Sequence, residues 1–174
     1  VHLSDLKENG MLLVNTANYS PKNLKLAGYD ENPLEGDTLL NYRLIKVDMT
    51  DVVFKALEDM GLSSKIMARS TNMFALGLLY WLYERDMQST INFLEKKFKS
   101  KPEIVEANTK ALKAGFYFGD TIEAIKTTYR ISKAKFKKGT YRNIMGNPAL
   151  GMGLLAASQK AGLNLFFGGY PITP

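Results

Sequence analysis

Residues 146–174 read GNPALGMGLLAASQKAGLNLFFGGYPITP, and the folding of this stretch decides how the chain is classed. Gly146-Asn147-Pro148 reads as a helix start. An Asn side chain can accept from a first-turn amide, and a proline is tolerated where the helix needs no donor. Ala149 to Ala161 continues as a small-residue helix. Its Gly151, Gly153 and Ala157 leave a thin surface that another backbone can approach closely. Gly162 is placed to end that helix, and Leu163 to Phe167 reads as a short buried strand. Gly168-Gly169 then turns the chain into Tyr170-Pro171-Ile172-Thr173-Pro174. Helix, strand and turn in this order present a residue at a strand's carboxyl end, where α/β domains bind ligands. Pro171 and Pro174 restrict the backbone on both sides of the Thr173 hydroxyl. The chain starts at Val1 and stops straight after this motif, so the expectation is a piece of a longer polypeptide.

Working back towards the N-terminus, the rest of the chain alternates strand and helix patterns. Met11 to Asn15 is an apolar run after Asn9-Gly10, the pattern of a buried strand, and Tyr42 to Val47 reads as the next one. Residues 16–40, rich in Asn, Gly, Pro, Asp and Ser, read as a long irregular loop that covers or contacts something. Val52, Val53, Ala56, Leu57 and Met60 form a helical stripe, with Thr50 placed to cap it and Gly61 to end it. Ser70-Thr71 can cap an apolar helix running to about Tyr83, which should be central because apolar residues surround it. A further helix carries Ile91, Leu94 and Phe98 under a Ser89-Thr90 start. Pro102 opens the last of this set, through Ile104, Val105, Leu112 and Phe116. Strands followed by helices indicate α/β, either helix-dominated or with its first half upstream of Val1. No G-x-G-x-x-G or P-loop is present, so no local motif supports nucleotide binding.

Composition narrows the chemistry. There is no cysteine, which excludes a disulfide framework and thiolate ligation of zinc or of an iron–sulfur cluster by this chain. His2 is the one histidine, so a catalytic triad built within the chain is not expected. The longest apolar run, Met73 to Tyr83, is about half the roughly 20 residues of a membrane span and reads as a core helix. Asp48, Asp51, Glu103 and Glu106 sit near helix starts, where the macrodipole favours acids without any catalytic role. Met60, Met67, Met73 and Met87 read as gap-fillers, and Tyr80, Trp81 and Tyr83 as core or subunit interface.

The formal charge of +6 is uneven. Residues 1–61 hold ten acids against six bases, whereas residues 62–145 hold sixteen bases against seven acids. The densest part is Tyr129 to Arg142, where Arg130, Lys133, Lys135, Lys137, Lys138 and Arg142 meet no acid. Basic residues interleaved with Tyr129, Phe136 and Tyr141 are compatible with nucleic acid. The alternation of Lys133, Lys135 and Lys137 with Ala134 and Phe136 favours a solvated strand or contact with a partner subunit.

At the motif, the chain resembles the 2-oxoacid:ferredoxin oxidoreductases. Their pyrimidine-binding domain starts with a glycine–asparagine helix and leads into a Tyr-Pro-Ile-Thr-Pro motif, here Tyr170, Pro171, Ile172, Thr173 and Pro174. Upstream, Asn108, Ala111, Leu112, Gly115 and Phe116 resemble the final helix of the family's gamma domain, with Lys99-Ser100-Lys101 before it and the apolar Met73–Leu82 helix. The order gamma then alpha resembles the fused large subunit common among 2-oxoglutarate-using members. The helix start departs from the family pattern at Pro148, where a glutamate is frequent.

The resemblance implies an α/β fold class: the C-terminal part of a Rossmann-like gamma domain, followed by the first helix and strand of a thiamine-diphosphate-fold pyrimidine domain. The domains would be 1–125 (gamma, its N-terminal part missing), 126–145 (basic linker) and 146–174 (start of the alpha domain). It also implies oxidative decarboxylation of a 2-oxoacid to acyl-coenzyme A with reduction of ferredoxin. Thiamine diphosphate, magnesium and iron–sulfur clusters would be held mainly by other subunits, with coenzyme A as co-substrate. Thr173 would be the catalytic contact to the substrate, with residues 170–174 around it. The expected partners are the beta subunit, ferredoxin and the 2-oxoacid, with no nucleic acid and no membrane, in the cytoplasm. The fragment alone should be inactive. Two alternatives stay open: the pyruvate or indolepyruvate branch, and a non-catalytic assembly module docked through its basic segment.

Overall fold

Asn9, in the left-handed region at φ 59°, turns the chain into strand β1 (Met11–Asn15). Strand β2 (Arg43–Val47) runs parallel beside it, with Met11 opposite Arg43 and Asn15 opposite Val47. The computed structural model describes residues 3–122, 125 and 127–169. Within them the chain is α/β: a two-stranded parallel sheet and a larger share of helix.

Parallel neighbours need a crossover of a dozen or more residues, and the segment between the strands supplies it. That segment is less irregular than its composition suggests. Helix α1 (Pro21–Leu26) lies within it, started by Ser20, whose hydroxyl accepts from Asn23 N at 3.4 Å. Ser20-Pro21 is a helix-start signal that the sequence reading passed over. The expected covering role is present: Leu34 and Leu39 close over Val14, joined by Leu12, Tyr19, Tyr42 and Leu44.

Because strand side chains alternate between faces, the opposite face of the sheet carries Met11, Leu13, Ile45 and Val47. These pack on Val53 of α2 (Met49–Ala56), on Phe74 and Leu82 of α4 (Thr71–Leu82), and on Ala107 and Ala111 of α6 (Pro102–Phe118). Two further helices complete the layer, α3 (Ser64–Arg69) and α5 (Gln88–Lys97). Helix α4 is central, as its all-round apolarity required, with Phe74, Gly77, Leu78 and Leu82 buried.

The α4–α6 crossing depends on two glycines. A Cβ on Gly77 would lie 1.9 Å from the Leu112 carbonyl oxygen, and one on Gly115 1.9 Å from that of Phe74. Each obstacle is backbone, so no rotamer change relieves it. One turn further on, the Trp81 indole lies over Gly119 and donates from Nε1 to Asp120 Oδ1 at 2.7 Å. At the other end, Lys110 of α6 reaches both carboxylate oxygens of Asp59, at 3.0 and 2.8 Å. That hydrogen bond holds the Asp59 carboxyl below its ordinary value and the Lys110 ammonium above its own. Both groups face water, so the pair contributes little beside the buried crossing.

Several helix starts differ from the sequence reading. Asp48, not Thr50, caps α2, accepting from Asp51 N at 2.9 Å. Ser70 stands at the N-cap position of α4, but its torsions are helical and its hydroxyl donates back to Ile66 O at 3.4 Å. Ser89 and Thr90 lie inside α5, and Thr90 Oγ1 is 2.7 Å from the Tyr80 hydroxyl. Pro102 does open α6, and Gly61, at φ 60°, does end the helical run after α2.

The chain divides into two compact units, residues 1–132 and 133–174. The second is built on α7 (Gly146–Ala161). Among the described residues, no helix is long and apolar enough to cross a membrane.

Gly115→Ala should destabilise the chain by roughly 1–3 kcal/mol or more, since overpacking against a fixed carbonyl outweighs the better helix propensity of Ala. Gly151→Ala in α7, where a Cβ would meet nothing within 4 Å, should be neutral or stabilising by up to about 1 kcal/mol. Urea melts of the two variants check this pair of opposite signs, and a harmless Gly115→Ala would refute the close crossing.

Candidate functional site

The second unit holds the approach to the motif. Helix α7 starts after Met145, so Asn147 is not its cap, while Pro148 does fall in the first turn where no amide is needed. Its end is closely specified. Gly162 takes φ 66°, its N–H donates to Gln159 O at 3.3 Å, and Leu163 N donates to Ser158 O at 3.1 Å. The Ser158 hydroxyl also donates to the Leu163 carbonyl. These bonds fix the direction in which the chain leaves the helix.

Residues 163–169 then form no strand, and the expected buried strand at Leu163–Phe167 is corrected here. A strand exists only by pairing, and unit two offers no second strand among its described residues. Phe166 is 91% exposed and Phe167 84%. Leu165 and Phe167 line, with Leu150, Leu154 and Leu155, an open apolar groove of about 600 Å³ along α7. The thin surface at Gly151 and Gly153 faces open space. Tyr170, Pro171, Ile172, Thr173 and Pro174 lie outside the described residues.

The basic segment is likewise not a strand. Lys133, Lys135, Lys137, Lys138 and Arg142 are all exposed on irregular backbone. A local turn is held by Tyr141, whose hydroxyl donates to Lys137 O at 2.8 Å while its ring lies 5.4 Å from that of Phe136. No acid occurs anywhere from residue 124 to the end, so nothing within unit two neutralises these cations.

In the first unit, the residues that carry the gamma-domain resemblance are packing residues. Ala111 and Leu112 are fully buried, and Gly115 makes the backbone crossing. Asn108 donates to Ile104 O at 2.7 Å within α6. No thiolate is available in the chain for an iron–sulfur cluster. It has no cysteine, and among the described residues no group of three His, Cys, Asp or Glu could hold a metal.

One polar residue at a strand end was missed by the sequence reading. Asn15, at the carboxyl end of β1, accepts through Oδ1 from Met49 N at 3.1 Å and from Ala17 N at 3.3 Å. Its Nδ2 donates to Thr50 Oγ1 at 3.3 Å. The signal was an Asn closing an apolar strand run, at the place where parallel sheets put functional groups. Here the side chain ties the strand to the start of α2.

Comparison with known proteins places the chain by its sequence. The pyruvate ferredoxin/flavodoxin oxidoreductase model matches residues 1–118, and the chain belongs to that family. It is 46% identical, over 173 residues and 99% of its length, to the 2-oxoglutarate oxidoreductase subunit KorA of Mycobacterium tuberculosis. The chain spans about a quarter of that protein, 26% of its length. No solved structure matches it.

Asn15→Ala removes an acceptor shared by two backbone amides. Stability should fall by about 1–2 kcal/mol, with faster hydrogen exchange at the Met49 and Ala17 amides. Unchanged exchange at both positions would show that the side chain does not hold this junction.

Proposed function

We propose that the chain is part of a thiamine-diphosphate-dependent 2-oxoacid:ferredoxin oxidoreductase acting on 2-oxoglutarate. The reaction converts 2-oxoglutarate and coenzyme A to succinyl-coenzyme A and carbon dioxide, and two ferredoxins each take one electron. The observation that carries this reading is the 46% identity to a 2-oxoglutarate oxidoreductase subunit across 99% of the chain, which takes in α7 as well as the helical layer. On this reading, residues 1–125 are the C-terminal part of a Rossmann-like gamma domain and 126–145 a basic linker. Residues 146–174 then begin the thiamine-diphosphate-fold alpha domain. The apolar residues left exposed on α7 and in 163–167 support that assignment, since such a surface needs cover.

The chain's own contribution is binding and orientation. Thiamine diphosphate supplies the carbanion chemistry of decarboxylation; with magnesium and the iron–sulfur clusters it belongs mainly to the beta subunit and other partners, in the cytoplasm. Thr173 donates its hydroxyl to a carboxylate or keto oxygen of the substrate. Held between Pro171 and Pro174, the donor is set before charge develops and needs no reorganisation. Lys135 and Lys137, exposed and without acids in their unit, suit contact with an acidic surface of the partner subunit.

In the assembled complex, Thr173→Ala should slow 2-oxoglutarate turnover on the order of 10²-fold. Unchanged steady-state rates with every 2-oxoacid tried would remove Thr173 from the mechanism. Reversing Lys135 and Lys137 to Glu should weaken assembly with the beta subunit on size-exclusion chromatography while leaving the chain folded. Tight, salt-sensitive nucleic-acid binding by the unaltered chain, lost on reversal, would count against this role.

A further inference from the structure

Helix α4 is closed by a residue that does not suit the place. The Glu84 N–H donates to Trp81 O at 3.1 Å and the Arg85 N–H to Tyr80 O at 2.8 Å, the pair of bonds that ends a helix at a left-handed residue. Glycine is the usual choice there, yet the position holds Glu84, at φ 47°. The other described non-glycine residue with positive φ is Asn9, of a type that enters this region readily. Glutamate does not, so its backbone is strained and its side chain calls for a reason.

The carboxylate supplies one. Glu84 Oε1 accepts from the Thr128 hydroxyl at 2.8 Å. Next in the chain, the Tyr129 N–H donates to Leu82 O at 2.7 Å, satisfying a carbonyl that the helix end leaves without an intrahelical partner. The Tyr129 ring lies 5.8 Å from that of Tyr83. Ile125 is buried in the core, whereas Arg130 to Met145 is exposed, irregular chain. Residues 127–129 are therefore fastened to the end of α4. Ile125 and Tyr129 line an apolar cleft of about 270 Å³ there, with Met11 and Leu13 of β1 and Leu79 and Leu82 of α4.

We propose that residues 127–129 are a releasable strap at this cleft, latched by the Glu84 carboxylate. The strap is held by one backbone bond, one exposed side-chain bond and one contact between two partly exposed rings. Exposed hydrogen bonds and few buried contacts mark segments that open without global unfolding. Buried Ile125 keeps the release from spreading into the core. Lifting Tyr129 uncovers the cleft beside β1 and leaves the α4–α6 crossing intact. A glycine at residue 84 would suit the helix stop better but offers Thr128 no acceptor. The proposal goes beyond the oxidoreductase reading and needs nothing from it, and its test reads local opening rather than turnover.

Amide exchange of the full chain, resolved by NMR at several low urea concentrations, tests the strap. The Tyr129 amide should be protected, yet exchange at least about tenfold faster than that of Leu112 at the buried crossing, with little dependence on urea. Glu84→Ala and Thr128→Val remove the two ends of one hydrogen bond. Each should speed Tyr129 exchange by about threefold to tenfold, and the double variant should be no faster than either. Glu84→Gly should release Tyr129 as Glu84→Ala does while melting about 2–4 °C higher, because it relieves the backbone. A Tyr129 amide that is unprotected, or that exchanges only with Leu112 on global unfolding, overturns the strap. Effects that add in the double variant overturn the latch, and equal melting of the Gly and Ala variants overturns the strain.

Discussion

Where α4 crosses α6, two backbones meet with no side chain between them. Gly77 rests against the Leu112 carbonyl and Gly115 against the Phe74 carbonyl, and much of the first unit follows from that contact. Close approach brings Phe74, Ala107, Ala111 and Leu112 into one buried layer, with Phe74 and Phe118 rings 5.3 Å apart. Replacing Phe74 by a small residue would leave a void, but adding a single methyl at Gly115 attacks the geometry itself. Dense interiors have no slack to absorb it. The layer so formed is the surface on which the parallel strands lie, and it sets where α5 can dock against α6.

The strand pair is small, yet it is specified from both sides. Ile45 and Val47 point to the helical layer, Val14 to the crossover, and a one-residue slip of register would exchange these faces. Asn15 then joins the strand end to the start of α2 by two hydrogen bonds. In many α/β proteins that position faces a ligand; here its polar side chain is used in structure.

The second unit has a different balance. Its helix is well formed and its C-terminal cap is specified by Gly162 and Ser158, but leucines and phenylalanines that ought to be inside face outward. A helix can satisfy its backbone alone, whereas a strand and an apolar face cannot be completed without neighbours. Among its described residues, unit two does not supply those neighbours.

Local signals were enough for much of this. The two strands, the Pro102 helix start, the Gly61 and Gly162 stops and the centrality of Met73–Tyr83 all rest on side-chain periodicity and backbone torsions, which a sequence states directly. The Tyr-Pro-Ile-Thr-Pro motif marked the family, to which the chain belongs. Other features depended on which distant residue stands opposite. Asp48 rather than Thr50 caps α2, and Ser70 bonds backwards because α3 runs into α4 almost without a break. Leu163–Phe167 has strand composition and no strand to pair with. The three cations at Arg69, Lys97 and Lys101 are scattered along the sequence. Only the packing of four helices brings them to one groove, because convergence of separated residues is a property of the crossing angles and not of any local stretch.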